Sequence, residues 1–141
     1  MADGDFEARS ASMFARDAAS QSLGIRVEMP EPGRARASLV VTDDMLNGFG
    51  VCHGGFIFTL ADTAFAFACN GGDDVTVAAG ATIDFLESAH GGDELTAIAI
   101  ERSRRGRTGI YDVTVTNQSG IEIAIFRGRS HATRRRHEEL D

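Results

Sequence analysis

The run from Val51 to Cys69, VCHGGFIFTLADTAFAFAC, constrains this chain more than any other stretch. It is apolar on nearly every face, and Asp62 is its only formally charged side chain. A helix that is apolar all round has to be covered by protein or by lipid. The run approaches membrane-spanning length, but Asp62, two threonines and the paired glycines Gly54-Gly55 break it. The expected element is therefore a buried core helix from about Gly54 to Asn70, stopped by Gly71-Gly72. Burying a lone carboxylate costs hydration and pushes its pKa upward. An acid in that position implies a chemical task, or else a buried partner such as an arginine or a backbone amide.

The flanking segments supply the cover. Apolar residues at helical spacing (Phe6, Met13, Phe14, Ala18) predict a first helix over Phe6–Ser22, ended by Gly24. Ile25–Met29 and Arg34–Val41 read as strands joined by the turn Pro30-Glu31-Pro32-Gly33. After the central helix, Val75–Leu86, Glu94–Arg104, Thr108–Thr116 and Ile121–His131 read as four more strands, with Asn117-Gln118-Ser119-Gly120 as a hairpin loop. Long antiparallel strands around one buried helix make an α+β domain. At 141 residues the chain is one domain, 1–141, with an N-terminal helix within 1–22 and a flexible charged tail at 133–141.

Charge and composition remove several function classes. The net charge of −7 argues against a nucleic-acid binder. All 14 basic residues are arginine, so neither a Schiff-base lysine nor a P-loop lysine exists. His53, His90, His131 and His137 show no ligand spacing, and the two cysteines, Cys52 and Cys69, lie seventeen residues apart, so no metal is expected. There is no Gly-x-Ser-x-Gly elbow for a serine hydrolase. With a polar, amphipathic N-terminus and no basic-then-apolar leader, the expected location is the cytoplasm, with reduced thiols, and no membrane partner.

The central helix begins at His53-Gly54-Gly55, where free backbone amides can polarise an oxygen. Together with Asp62 this suggests hydrolysis at a carbonyl. Gly54 and Asp62 are eight residues apart, hence roughly 12 Å along one helix at about 1.5 Å per residue. An acid and an oxyanion donor must each come within about 3 Å of the same reacting group. One copy of the helix cannot do that, whereas two antiparallel copies across a two-fold axis can. If both residues act, the protein is a dimer with shared sites. Asn47 can orient a water, a carboxylate or the carbonyl through its amide, and reads equally well as a turn residue. His53 reads first as a hydrogen-bonded shaper of the turn.

The segments Asn47-Gly48, Cys52-His53-Gly54-Gly55-Phe56 and Leu60-Ala61-Asp62-Thr63-Ala64-Phe65-Ala66 strongly resemble the hotdog-fold acyl-CoA thioesterases of the PaaI type, which hydrolyse phenylacetyl-CoA and related aryl-acyl-CoA esters. The resemblance continues through Thr82–Leu86, Thr108–Asp112 and Ala124–His131. His-Gly-Gly alone is shared by hotdog proteins of several activities, while LADTAFAFACN is much narrower. By this resemblance Asp62 is the catalytic carboxylate, acting as nucleophile or as general base toward water. The Gly54 amide polarises the thioester carbonyl, Asn47 positions the water or the carboxylate, and His53 supports the turn, with Asp62 on the opposite subunit from Asn47 and Gly54. Gly55, Phe56 and Thr63 are placed near substrate. The assembly implied is a homodimer, paired into a tetramer, with no cofactor beyond the coenzyme A of the substrate. Some hotdog thioesterases add a hydroxyl one turn after the acid or on the next strand. Here those positions are Ala66 and Ala78, so that role falls to Asn47, to Thr63 or to no residue.

Coenzyme A carries phosphates, and arginines cluster at the turn into the Thr108 strand (Arg102, Arg104, Arg105, Arg107), with Arg127 and Arg129 on the last strand. Arg104 and Arg107 are the candidates for phosphate contact, since the planar guanidinium donates two parallel hydrogen bonds. The bland alternative is a solvated hairpin end. Phe49, Phe56, Phe58 and Phe65 are candidate acyl-pocket residues and equally candidate core. Two rival functions use the same groove: an acyl-thioester hydratase or dehydratase, which would not release free thiol, and a non-catalytic acyl-CoA-binding protein, for which the chain shows no DNA- or partner-binding appendage.

Overall fold

The computed structural model describes residues 3–140. Residues 1, 2 and 141, which belong to the expected N-terminal helix and tail, lie outside the described residues. The elements run α1 (Asp3–Ala15), α2 (Ala18–Ser22), β1 (Arg26–Glu31), β2 (Arg34–Val40), a 3-10 turn (Asp43–Met45), α3 (Gly54–Ala68), β3 (Asp74–Phe85), β4 (Glu94–Arg105), β5 (Thr108–Thr116), β6 (Glu122–Arg136) and a second 3-10 turn (His137–Leu140). The strands form one antiparallel sheet in the order β1-β2-β4-β5-β6-β3. It curls around α3, the arrangement of the hotdog fold expected for a long helix wrapped by strands.

Alternation along each strand decides which face meets α3. Ala35, Ala37 and Leu39 of β2, Leu95, Ala97 and Ala99 of β4, and Tyr111, Val113 and Val115 of β5 are buried beneath the helix. From α3, Leu60, Ala61, Ala64, Phe65 and Phe67 are at most 1% exposed, so the helix is covered on most of its circumference. The alanines on both surfaces allow close approach. Gly128 of β6 does the same for one ring: a Cβ there would stand 2.7–2.8 Å from Phe65, whose ring contacts Tyr111 and Phe126 at 5.6 and 5.8 Å.

Two expectations at the chain ends are corrected. The first helix is two helices, because the Asp17 side chain accepts hydrogen bonds from the Ser20 amide (3.0 Å) and hydroxyl (2.6 Å) and so caps a new helix. The tail expected to be flexible from Thr133 instead continues β6 to Arg136 against β3, with Thr133 Oγ1 donating to the Val75 carbonyl (2.6 Å). His137 is then buried and hydrogen-bonded through Nε2 to Asn70 Oδ1 (2.9 Å). Charge alone suggested solvent for this segment, but Ser130 and Ala132 of the strand and His137 just beyond it turn inward.

Candidate active site

The start of α3 is built by the loop before it. Asn47 Oδ1 accepts from the amides of Phe49 (2.9 Å) and Val51 (3.3 Å), folding residues 47–51 into a tight loop. The His53 amide donates to the Met45 carbonyl (2.7 Å), and His53 Nδ1 then accepts from the Gly55 amide (3.1 Å) as the N-cap of α3. That bond fixes the ring proton on Nε2 when the imidazole is neutral. Phe56 N donates back to the His53 carbonyl (3.0 Å). The Gly54 amide is left with no acceptor among the described residues, at the positive end of the helix dipole. The Asn47 side-chain NH2 is likewise without an acceptor among them.

Asp62 lies two turns further along α3, half-buried on the wall of a cavity of about 380 Å³. Among the described residues no hydrogen bond or ion pair reaches its carboxylate. Burial pushes its pKa up, and the carboxylate of Asp17 pushes it further. Cys69, on the same wall, is pushed up to about 12, chiefly by burial, so its thiol stays protonated and takes no nucleophilic part at neutral pH. Ala66 and Ala78, the positions where a second hydroxyl was considered, both line this cavity, which therefore has no hydroxyl at either place.

The other predicted residues fall into two groups. Gly55 is exposed, but its amide is taken by His53 and is not available to substrate. Phe56 packs edge-on against His53 at 6.3 Å and against the core, away from the Asp62 cavity. Thr63 is 7% exposed, and its hydroxyl donates to the Thr59 carbonyl (2.8 Å) and meets Ser20 Oγ (3.2 Å). That position beneath α2 removes it as a substrate contact. Arg107 is also a structural residue: Nη1 donates to the carbonyls of Ala132 (3.0 Å) and Thr133 (2.8 Å) and pairs with Asp74 (3.6 Å). Spacing along the chain could not show which face of α3 carries Thr63 inward, nor that Arg107 crosses to β6.

Arg104 is exposed, has no ion pair among the described residues, and reaches over Gly72 beyond the C-terminal end of α3. Arg102 and Arg127 instead converge on Asp112 at 3.4 and 2.6 Å. Of the four phenylalanines weighed for an acyl pocket, Phe65 alone lines the Asp62 cavity; Phe58 stacks on Phe126 (5.3 Å) and Phe49 is 92% exposed. Asp17 is the residue that sequence reasoning missed. Its signal was there as Asp17-x-x-Ser20, an N-cap pattern inside the segment read as one helix. Among the described residues no cluster of His, Cys, Asp and Glu could hold a metal, and no helix is long and apolar enough to cross a membrane.

Known proteins share this arrangement. A family model described as the thioesterase superfamily matches residues 49–124. The acyl-coenzyme A thioesterase PaaI of Escherichia coli K12 is 46% identical over 120 residues, 85% of this chain and 86% of that protein. The structure of E. coli PaaI, from the phenylacetic acid degradation operon, matches with a TM-score of 0.88 at 43% identity, covering 91% of this chain and 93% of that one. A Streptococcus mutans protein solved bound to acetyl-CoA matches at 0.74 and 30% identity, covering 77% of this chain and 88% of that one.

Proposed function

The chain belongs to the thioesterase superfamily, and from that premise we propose that it hydrolyses phenylacetyl-CoA, or ring-hydroxylated relatives, to the free acid and coenzyme A. One observation carries the mechanism: the Asp62 carboxylate stands on a cavity wall and, among the described residues, no hydrogen bond or ion pair reaches it. An unpaired, partly desolvated carboxylate is a stronger base than one in water. Asp62 takes a proton from water as the water oxygen attacks the thioester carbonyl, or its own oxygen attacks and forms an anhydride that water then opens. Either way the carbonyl oxygen gains charge, the Gly54 N–H stabilises it, and collapse expels the CoA thiolate. The Asn47 NH2 supports the attacking or developing oxygen.

The position of β3 supports a two-subunit site. Val75–Ala78 of this edge strand flank the Asp62 cavity, while Phe85 at its far end covers Gly54, where an added Cβ would meet Phe85 Cζ at 2.9 Å. β3 is the free edge of the sheet next to β6. Two such edges pairing antiparallel about their midpoint set the Asp62 end of one chain against the Gly54 end of the other. This supports a homodimer with shared sites, and such dimers pair into a tetramer. The enzyme works in the cytoplasm, needs no cofactor, and meets the CoA phosphates with Arg104.

The test is thiol release from phenylacetyl-, hydroxyphenylacetyl-, benzoyl-, straight-chain and acetyl-CoA, with Asp62→Asn alongside. Fast release from the phenylacetyl esters, lost in the variant, is expected. Release from straight-chain esters alone would overturn the aromatic assignment, and no release would leave a hydratase or a binding protein.

A further inference from the structure

The cavity that holds Asp62 is closed by the two ends of the chain. Its inner wall, Asp62, Phe65, Ala66 and Val75–Ala78, lies within the residues that match the family. Its outer wall comes from outside them: Met13 of α1, Arg16 and Asp17 after it, and His137 and Leu140 of the last turn. At about 380 Å³ the space is that of a small-ligand site, whereas activating a water or a thioester carbonyl requires only a few atoms of it.

Both ends are fastened to one short turn. Asp73 accepts from Arg9 of α1 (2.8 Å) and pairs with Arg136 of β6 (3.3 Å), while its carbonyl accepts from the His137 amide (2.9 Å). Arg9 also donates to the Gly71 carbonyl (3.2 Å), and Phe14 meets Phe67 at 6.4 Å. Asn70 binds His137 from the same turn, and its Nδ2 donates to the Thr76 carbonyl (2.9 Å) on the cavity wall. An outer wall held by several bonds to the scaffold has a fixed shape, which selection by shape requires.

We propose that α1 and the C-terminal turn form the acyl-binding pocket, with Met13 and Leu140 as its specificity-determining residues and an arylacetyl ring as its occupant. The inference rests on the thioesterase reading and extends it. The apolar side chains Met13, Phe65, Val75, Val77 and Leu140 cover a ring, and the polar Arg16 and Asp17 at the α1–α2 junction suit a ring hydroxyl. The shared inner wall performs the chemistry, and the ends choose the acyl group.

Calorimetric binding to the full chain tests this with unhydrolysable thioether analogues, the acetonyl and phenylacetonyl forms of CoA, in which a methylene separates sulfur from carbonyl. The native protein should bind the phenylacetonyl form more tightly. Met13→Ala and Leu140→Ala should each cut that preference about tenfold, the size of effect a lost apolar contact has in a pocket. Leu140→Trp should fill the space and cut it further, while acetonyl-CoA affinity stays within a factor of two or so. Both ligands are read on one protein sample, so partial misfolding does not alter the preference. An unchanged preference in all three variants, or no preference in the native protein, overturns the proposal. Failure of native protein to release thiol from the true esters would instead overturn the thioesterase reading, which this binding experiment does not depend on.

Discussion

The carboxylates of Asp17 and Asp62 line one cavity, and the first raises the proton affinity of the second. Asp17 is itself held, because it caps α2 through Ser20, whose hydroxyl meets Thr63 one position after Asp62. Arg16, Cys69 and His137 are the other titratable groups on that wall. If Asp62 acts as its carboxylate, as proposed, a raised pKa moves the acid limb of kcat/KM upward: activity is lost at a higher pH than an ordinary aspartate would give. Asp17→Asn keeps the cap, because asparagine caps as well as aspartate. With phenylacetyl-CoA, which has no ring hydroxyl for Asp17 to meet, it should shift that limb to lower pH with little change on the plateau. A limb that stays in place would show that Asp17 does not tune Asp62.

Asp62→Asn separates catalysis from stability. Turnover should fall by roughly 10²–10⁴-fold, the usual contribution of an acid–base group. Stability should move the other way. With a folded-state pKa above the unfolded one, Asp62 favours folding most at low pH, and that contribution is lost as pH rises through the folded value. At neutral pH the ionised side chain therefore destabilises the fold, and its neutral isostere should raise Tm by a few degrees. An unchanged or lower Tm would mean that the carboxylate is compensated in the assembled protein.

Asn47 has two ends with two tasks. Its Oδ1 holds the loop through Phe49 and Val51, and its NH2, with no acceptor among the described residues, is the part the proposed mechanism uses. Asn47→Asp keeps the acceptor and replaces the donor with a charge. The loop should persist, kcat should fall by about 10²-fold or more, and KM should change little, since positioning acts in the transition state. A KM effect with kcat preserved would make Asn47 a ground-state binding residue.

Most of the fold was legible because it rests on periodicity. The apolar run predicted α3 to within two residues at its C-terminal end, and alternation placed all six strands. The two ends were misread for different reasons. Asp17 breaks the first helix through a side-chain bond, and Arg136 and His137 are ordered by Asp73 and Asn70, more than sixty residues away. In the site, the elements that carry Asp62, Gly54, Asn47 and His53 lie where the sequence placed them, because each depends on local backbone: a cap, a loop, a helix end. Thr63 meets Ser20 of α2, and Arg107 bonds the β6 carbonyls of Ala132 and Thr133, so what these side chains touch is decided by which neighbour faces them. No local pattern carries that information.

Gly128→Ala probes the packing under α3. The added methyl would stand 2.7–2.8 Å from a ring that is itself 1% exposed and locked between Tyr111 and Phe126. Overpacking of this kind costs about 1–3 kcal/mol. Phe65 also lines the Asp62 cavity, so denaturant midpoint and kcat should fall together. A midpoint unchanged from the native protein would mean the ring has room to withdraw.

A site shared between subunits, as proposed, predicts complementation between dead variants. Asn47→Asp disables the Asn47–Gly54 half of a site, and Asp62→Asn disables the carboxylate half. If one site takes its carboxylate from one subunit and its loop from the other, a mixed dimer contains one doubly damaged site and one intact site. Random reassociation of equal amounts makes half the dimers mixed, so about a quarter of native activity should return. If each subunit carries its own complete site, every site in the mixture keeps one lesion and no activity returns. Antiparallel pairing of two β3 edges gives the first result: the strand runs from the Asp62 cavity to Phe85 over Gly54, so a partner copy laid along it would bring those two ends together.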